Sequence, residues 1–248
     1  VARAVEAGVT RILAVGGNAE LNAGAAAAVC AAPRQVRLAL GLDRSQAGLS
    51  AECVQAFESR LKAYALCAIG EAGLDYHHDA ATRATQLTLF ARMLDLAARR
   101  ALPIIIHTRE ADEDTLAVMD EAGSAALAAA GRLGVAHCYT GDKAFAGKLL
   151  DRGLYVSFSG IVTFRNAAAL RDVSAYVPAD RLLIETDSPY LTPVPLRGRP
   201  NEPAFITHVA ACVARQRATS PADLAYATTR NAEALFGPWA AASPPCRR

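Results

Sequence analysis

No stretch of this 248-residue chain approaches the roughly 20 consecutive apolar residues that cross a bilayer, so no membrane insertion is expected. No basic segment followed by a short apolar one opens the chain, and no signal peptide is in view. Its cysteines, Cys30, Cys53, Cys67, Cys138, Cys212 and Cys246, form no CxxC pair and no dense framework. In a domain of this size they predict scattered reduced thiols, and hence a cytoplasmic setting. A large charge of either sign is missing too. The formal net charge of +2 neither demands nor excludes nucleic acid, but it argues against DNA binding through a broad basic surface. Internal repeats and low-complexity arrays are absent, and no obligate protein partner is evident.

Apolar residues are plentiful. They make up 52% of the chain, enough for a substantial core. Strand-like runs occur at Arg11–Val15, Val36–Gly41, Leu66–Gly70, Pro103–Ile106, Leu133–Ala136, Leu154–Phe158 and Leu182–Thr186. Short apolar runs bounded by turn residues read as buried parallel strands. Helical patterns lie between them, the clearest being Leu87, Phe90, Leu94, Ala97 and Ala101. Gly8 and Gly153 each close a helix before the chain turns back into a strand. This alternation predicts βαβ units and a parallel sheet. The fold expected is an α/β, TIM-type (β/α)8 barrel, a class that commonly runs to about 250 residues. Residues 1–237 would form one barrel domain, and 238–248, with its paired prolines and terminal arginines, a loose tail.

The runs number seven, whereas such a barrel has eight strands. Val1, Ala4, Val5 and Val9 already read as an amphipathic helix, and the first residue is not Met. The first strand is therefore expected upstream of Val1, with this chain an N-terminally truncated piece. An open doubly wound sheet is the alternative, and it would place ligands at a switch point in strand order.

Four metal-binding side chains stand where apolar runs end: Glu71 after Ala68-Ile69-Gly70, His107 after Ile104-Ile105-Ile106, His137 after Gly134-Val135-Ala136, and Asp187 after Ile184-Glu185-Thr186. One such residue is often only a helix cap. Two histidines and two carboxylates at the carboxyl ends of separate strands point to a hydrolytic metal centre. Imidazole nitrogen and carboxylate oxygen together suit Zn²⁺ and Mn²⁺, with Mg²⁺ open on the carboxylate-rich side. Arg109, two residues past His107, carries a planar fork suited to phosphate; the alternative pairs it with Glu110 or Asp112. Arg165, Arg197 and Arg199 fall in loops at the same end and suit a phosphate-bearing substrate together, though each alone reads as a solvated charge. Tyr76 and Tyr139 could stack on bases or simply pack. His77-His78 reads as a solvated loop pair, His208 as a helix-surface residue, and Cys138 as a buried thiol on the strand face opposite His137.

Gly70-Glu71-Ala72-Gly73-Leu74-Asp75-Tyr76, Ile106-His107-Thr108-Arg109, His137-Cys138-Tyr139-Thr140-Gly141, Glu185-Thr186-Asp187-Ser188-Pro189-Tyr190-Leu191 and Arg197-Gly198-Arg199-Pro200-Asn201-Glu202-Pro203 resemble the successive motifs of the TatD family of metal-dependent hydrolases. Several members of that family are deoxyribonucleases. The resemblance implies two divalent cations (Mg²⁺, Mn²⁺ or Zn²⁺) bridged by Glu71. It places His107 and His137 on one cation, and Asp187 on the other as general base for the attacking water. It implies DNA as substrate, cleaved in an end-directed manner by metal-activated water. Arg109, Tyr76, Arg165 and Arg197 would be its substrate contacts.

Two departures stand out. The family's His-x-His at the end of strand one has no counterpart among His77, His78, His107, His137 and His208, which agrees with the truncation. Gly41-Leu42-Asp43-Arg44-Ser45 stands where the family usually shows Gly-x-His-Pro-His; Asp43 could approach the metals or be a solvated loop carboxylate. Two other activities stay open: hydrolysis of an amide, lactone or small ester in the same barrel, and a catalytically impaired metal-binding fragment.

Overall fold

A computed structural model describes residues 1–121 and 132–239. The chain packs as two compact units, one of Arg11–Gly134 with the described residues from Phe236 on, the other of Val1–Thr10 with Val135–Leu235. Strands and helices alternate as expected. The strands are β1 (Ile12–Val15), β2 (Val36–Leu40), β3 (Leu66–Asp75), β4 (Ile104–Arg109), β5 (Gly134–Ala136), β6 (Tyr155–Phe158) and β7 (Leu182–Ile184). They form one seven-stranded sheet in the order β1-β2-β3-β4-β5-β6-β7. Pairing is parallel wherever its register is defined, from β1–β2 through β3–β4 and from β5–β6 to β6–β7. The order never reverses, so the doubly wound alternative, which requires a switch point, is not what forms.

The helices of the first unit show how the sequence drives this. They are α2 (Ala19–Ala31), α3 (Ala51–Arg60), α4 (Tyr76–Asp79), α5 (Arg83–Arg99) and α6 (Asp112–Glu121), α1 being Ala2–Glu6 in the other unit. Polar residues in the βα turns start several of them: Asn18 accepts from the Leu21 amide at 2.9 Å and Ser50 from that of Cys53. Helix α5 packs on β3 and buries Gln86, Leu89, Phe90, Met93, Leu94, Leu96 and Ala97. Phe90, Leu94 and Ala97 of the expected stripe are buried, whereas Leu87 is half-buried and Ala101 lies past the helix end at φ 52°.

In the second unit, α7 (Lys143–Asp151) starts at Asp142, whose side chain accepts from the Phe145 amide at 2.8 Å. Helices α8 (Ala168–Tyr176), α9 (Ile206–Gln216) and α10 (Pro221–Phe236) follow. Arg217 fastens α9 to α8 by donating to the carbonyls of Ser174, Ala175 and Val177.

Cys53, Cys67, Cys138 and Cys212 are thiols, as the sequence predicts for them. Cys246 and the expected tail beyond Trp239 lie outside the described residues. No helix among the described residues is long and apolar enough to cross a membrane.

Candidate metal centre

Strand β3 is twice as long as its apolar run suggests. It continues through Glu71 to Asp75, with a register shift against β4 between Ile69 and Ala72. Strand β4 likewise runs on through His107 to Arg109. Glycine makes this extension possible. Gly73 pairs with His107 in register, holds φ 140°, and lies so close that a Cβ would sit 1.9 Å from the His107 carbonyl oxygen. Gly41, at the end of β2, is crowded in the same way against the Gly70-Glu71 backbone.

The result within this unit is a cluster of polar side chains around Glu71, Asp75 and His107. His107 Nδ1 is 3.6 Å from Glu71 Oε1, and its Nε2 is 2.9 Å from Asp75 Oδ2. The same Asp75 oxygen meets His78 Nδ1 at 2.8 Å and Arg44 Nε at 3.2 Å, and Asp75 Oδ1 accepts from the His78 backbone amide at 3.0 Å. Asp75 is 0% exposed. Burial works against its charge, but hydrogen bonds from the His107 ring, the His78 backbone and the His78 ring outweigh it. They hold the carboxyl well below the usual carboxylate range.

Several expectations change here. His77 and His78 are exposed, but they lie on α4 and are not loose: His77 Nδ1 is 2.7 Å from Glu110 and His78 is engaged by Asp75. Asp43 is buried, not solvated, because its side chain caps the turn Arg44–Gln46 by accepting from the Ser45 amide and hydroxyl. That turn delivers Arg44 to within 3.7 Å of Glu71 as well as to Asp75. Neither Asp75 nor Arg44 stood out in the sequence as a functional residue. The first signal that could have found Asp75 is its place on the same strand face as Glu71 and Gly73, visible only once β3 is known to continue.

Arg109 is exposed and makes no side-chain hydrogen bond or ion pair among the described residues. Its expected alternative partner Glu110 is held by His77. Tyr76 is half-buried and donates its hydroxyl to Asp114 Oδ2 at 2.5 Å. Burial and that carboxylate push the phenol up to about 12.

In the other unit, His137 directly follows β5, and its Nδ1 is 3.3 Å from Glu185 Oε1. Cys138 is half-buried in the turn after the strand at φ 46°, with Sγ 3.2 Å from Ser159 Oγ, and so is not the buried strand residue expected. Tyr139 packs: it is 3% exposed, donates to the Asp142 carbonyl at 2.6 Å, and lies against Phe145 and Phe158. Asp187 lies three residues past β7 at φ 57°, a left-handed conformation that aspartate tolerates better than most residues.

Asn201 braces the loop that carries Asp187. Its Nδ2 donates to the carbonyls of Thr186 and Tyr190 at 2.7 Å each, and its backbone amide to that of Pro189 at 2.9 Å. Asn201 thus supports this loop structurally, and the turn Pro203–Phe205 leads into α9. On the same loop Tyr190 is 66% exposed. Arg197 lies over the Phe164 ring at 4.1 Å and donates to the Thr192 carbonyl, whereas Arg165 is exposed with no side-chain partner among the described residues. His208 is half-buried in α9.

Among the described residues, one group offers metal-ligand geometry: Glu71, His107 and His137 each present one ligand atom, all within 4.8 Å of one another. Asp187 is not one of the three. The donor set fits a divalent cation, with one carboxylate oxygen and two imidazole nitrogens. Each imidazole also has a carboxylate beside it, Asp75 at 2.9 Å and Glu185 at 3.3 Å, as metal-ligating histidines usually do.

Comparison with known proteins agrees with this chemistry. Residues 1–237 match the family model for TatD related DNase. The metal-dependent hydrolase YcfH of Escherichia coli (strain K12), itself uncharacterized, is 48% identical over 169 residues, covering 68% of this chain and 62% of YcfH. The chain thus spans a little under two thirds of the length of such relatives. A Citrobacter rodentium protein named 3'-5' ssDNA/RNA exonuclease TatD is 38% identical over 175 residues, 68% of this chain and 65% of that one. The crystal structure of YjjV, a TatD homologue from Escherichia coli K12, superposes with a TM-score of 0.86 at 28% identity, covering 96% of this chain and 90% of YjjV. By its motifs, its fold and the Glu71-His107-His137 triad, the chain belongs to the TatD family of metal-dependent hydrolases.

Proposed function

We propose that the chain serves a phosphodiester hydrolase that shortens DNA from an end. The observation that carries this reading is the triad of Glu71, His107 and His137, whose ligand atoms lie within 4.8 Å of one another. Glu71 and the two imidazoles would hold a divalent cation, which when bound would supply a lowered pKa for water and charge neutralisation at a phosphate. Asp187, on its braced loop, takes the proton of the attacking water. Its left-handed backbone, fixed on both sides by Asn201, keeps that carboxylate from wandering. The exposed guanidinium groups of Arg109 and Arg165 suit phosphate oxygens, with Arg197 beside them in role. The exonuclease name of the Citrobacter relative supports nucleic acid as the substrate class.

Among the tyrosines, exposure favours one that the sequence reading passed over. Tyr139 is buried at 3% and Tyr76 is tied to Asp114, leaving only its ring to meet a base, whereas Tyr190 is 66% exposed on a fixed loop. A base stacked on Tyr190 would gain roughly 1–3 kcal/mol. Tyr190→Ala is accordingly expected to raise KM for single-stranded DNA about tenfold while leaving kcat unchanged, and Tyr190→Phe to keep both. An unchanged KM in the alanine variant removes Tyr190 from the substrate path.

The reading as a whole is tested on end-labelled DNA with Mg²⁺ or Mn²⁺ supplied. The expected result is progressive shortening that EDTA stops. Asp187→Asn should cost on the order of 10²–10⁴ in turnover with the fold intact, since an amide cannot take the proton. A metal-loaded protein that leaves DNA whole but opens a lactone or cleaves an amide contradicts the proposal.

A further inference from the structure

We infer that Asp75 is a positioning residue that holds the Nε2–H of His107 and thereby leaves Nδ1 as the ligand atom facing Glu71. The inference rests on the metal centre proposed above. A neutral imidazole has one N–H and one lone pair, and the partner of the N–H decides which nitrogen can bind a cation. Here the two nitrogens have different partners: Nε2 is 2.9 Å from Asp75 Oδ2, and Nδ1 is 3.6 Å from Glu71 Oε1. A carboxylate at the far nitrogen also raises the basicity of the near one.

What distinguishes Asp75 from a casual neighbour is how firmly it is held. It is fully buried at the end of β3, and the Gln86 side chain grips its backbone on both sides. Gln86 Oε1 accepts from the Asp75 amide at 2.8 Å, and Gln86 Nε2 donates to the Asp75 carbonyl at 3.3 Å. Gln86 is itself 1% exposed and tied to the Asp79 carbonyl and Thr82 Oγ1. A buried glutamine on an otherwise apolar helix face is costly unless its polar atoms are all used, and these are. The His78 backbone amide fixes Oδ1, so Oδ2 has one orientation in which to meet His107. Arg44 closes the arrangement by reaching the same oxygen at 3.2 Å, with its Nη1 3.7 Å from Glu71 Oε1.

The test uses the full chain with Mn²⁺ alone as probe. Asp75→Asn should weaken Mn²⁺ binding about 10–100-fold, with near-UV circular dichroism unchanged. His78→Ala, which takes a donor from the same oxygen without touching His107, should leave Mn²⁺ affinity as it was. In the wild-type protein without metal, imidazole ¹⁵N shifts, assigned with His107→Gln, should place the proton of neutral His107 on Nε2. Unchanged Mn²⁺ affinity in a folded Asp75→Asn protein overturns the inference, and so does a proton on Nδ1. The nitrogen shifts decide the matter even if the variant does not fold. Wild-type protein that binds Mn²⁺ yet spares DNA would remove the proposed substrate and leave the role of Asp75 standing.

Discussion

Glu71→Ala is expected to strip the protein of its cation and of hydrolysis together. Glu71 supplies the carboxylate of the triad, and without it two neutral imidazoles remain to attract a divalent ion. Its loss also leaves Arg44, 3.7 Å from Glu71 and 3.2 Å from Asp75, with one carboxylate neighbour in place of two, so the place becomes more positive. Affinity for Mn²⁺ should fall by more than the roughly 10–100-fold typical of losing an outer partner. Metal content after dialysis, read by mass spectrometry, and hydrolysis at saturating Mn²⁺ check this separately. A variant that retains metal and turns over normally shows that Glu71 is not a ligand.

Gly73→Ala should have the largest effect on stability. A Cβ there would lie 1.9 Å from the His107 carbonyl oxygen, with the His107 amide and carbonyl carbon both within 3 Å, so only backbone could give way. The φ of 140° adds strain that a side chain tolerates poorly. Strain of this kind and overpacking each cost about 1–3 kcal/mol, and together they should lower stability by roughly 3 kcal/mol or more. Urea unfolding followed by circular dichroism measures it. Because Gly73 pairs with His107, a folded remnant should also bind Mn²⁺ less tightly. A midpoint equal to that of the parent protein would mean that the β3–β4 pairing is not as close as described.

Much of this was legible in the sequence because apolar runs and glycine punctuation report directly on the strands of a parallel sheet. All seven runs became strands, in one sheet and in chain order. Strand ends were less legible. Apolarity stops at Gly70, but β3 continues for five more residues because backbone pairing to β4, not side-chain burial by hydrophobicity, sustains it. Asp75 was missed for that reason: a strand thought to stop at Gly70 puts Asp75 in a loop. The triad members Glu71, His107 and His137 could be found because they are chemically distinctive and each stands where an apolar run ends. The partners that orient them, Asp75, Gln86 and Arg44, come from three different elements, and no spacing rule connects them. Tyrosine roles were ambiguous for a related reason. Tyr76, Tyr139 and Tyr190 differ only in burial and hydroxyl partner, which depend on tertiary packing.

Crystals of the full chain soaked in Mn²⁺, with anomalous differences recorded at the manganese edge, test directly whether Glu71, His107 and His137 form one metal centre. A peak is expected within bonding distance of all three side chains, with His107 contributing Nδ1. A peak bound elsewhere, or full occupancy at a site that lacks any one of these three residues, would contradict it.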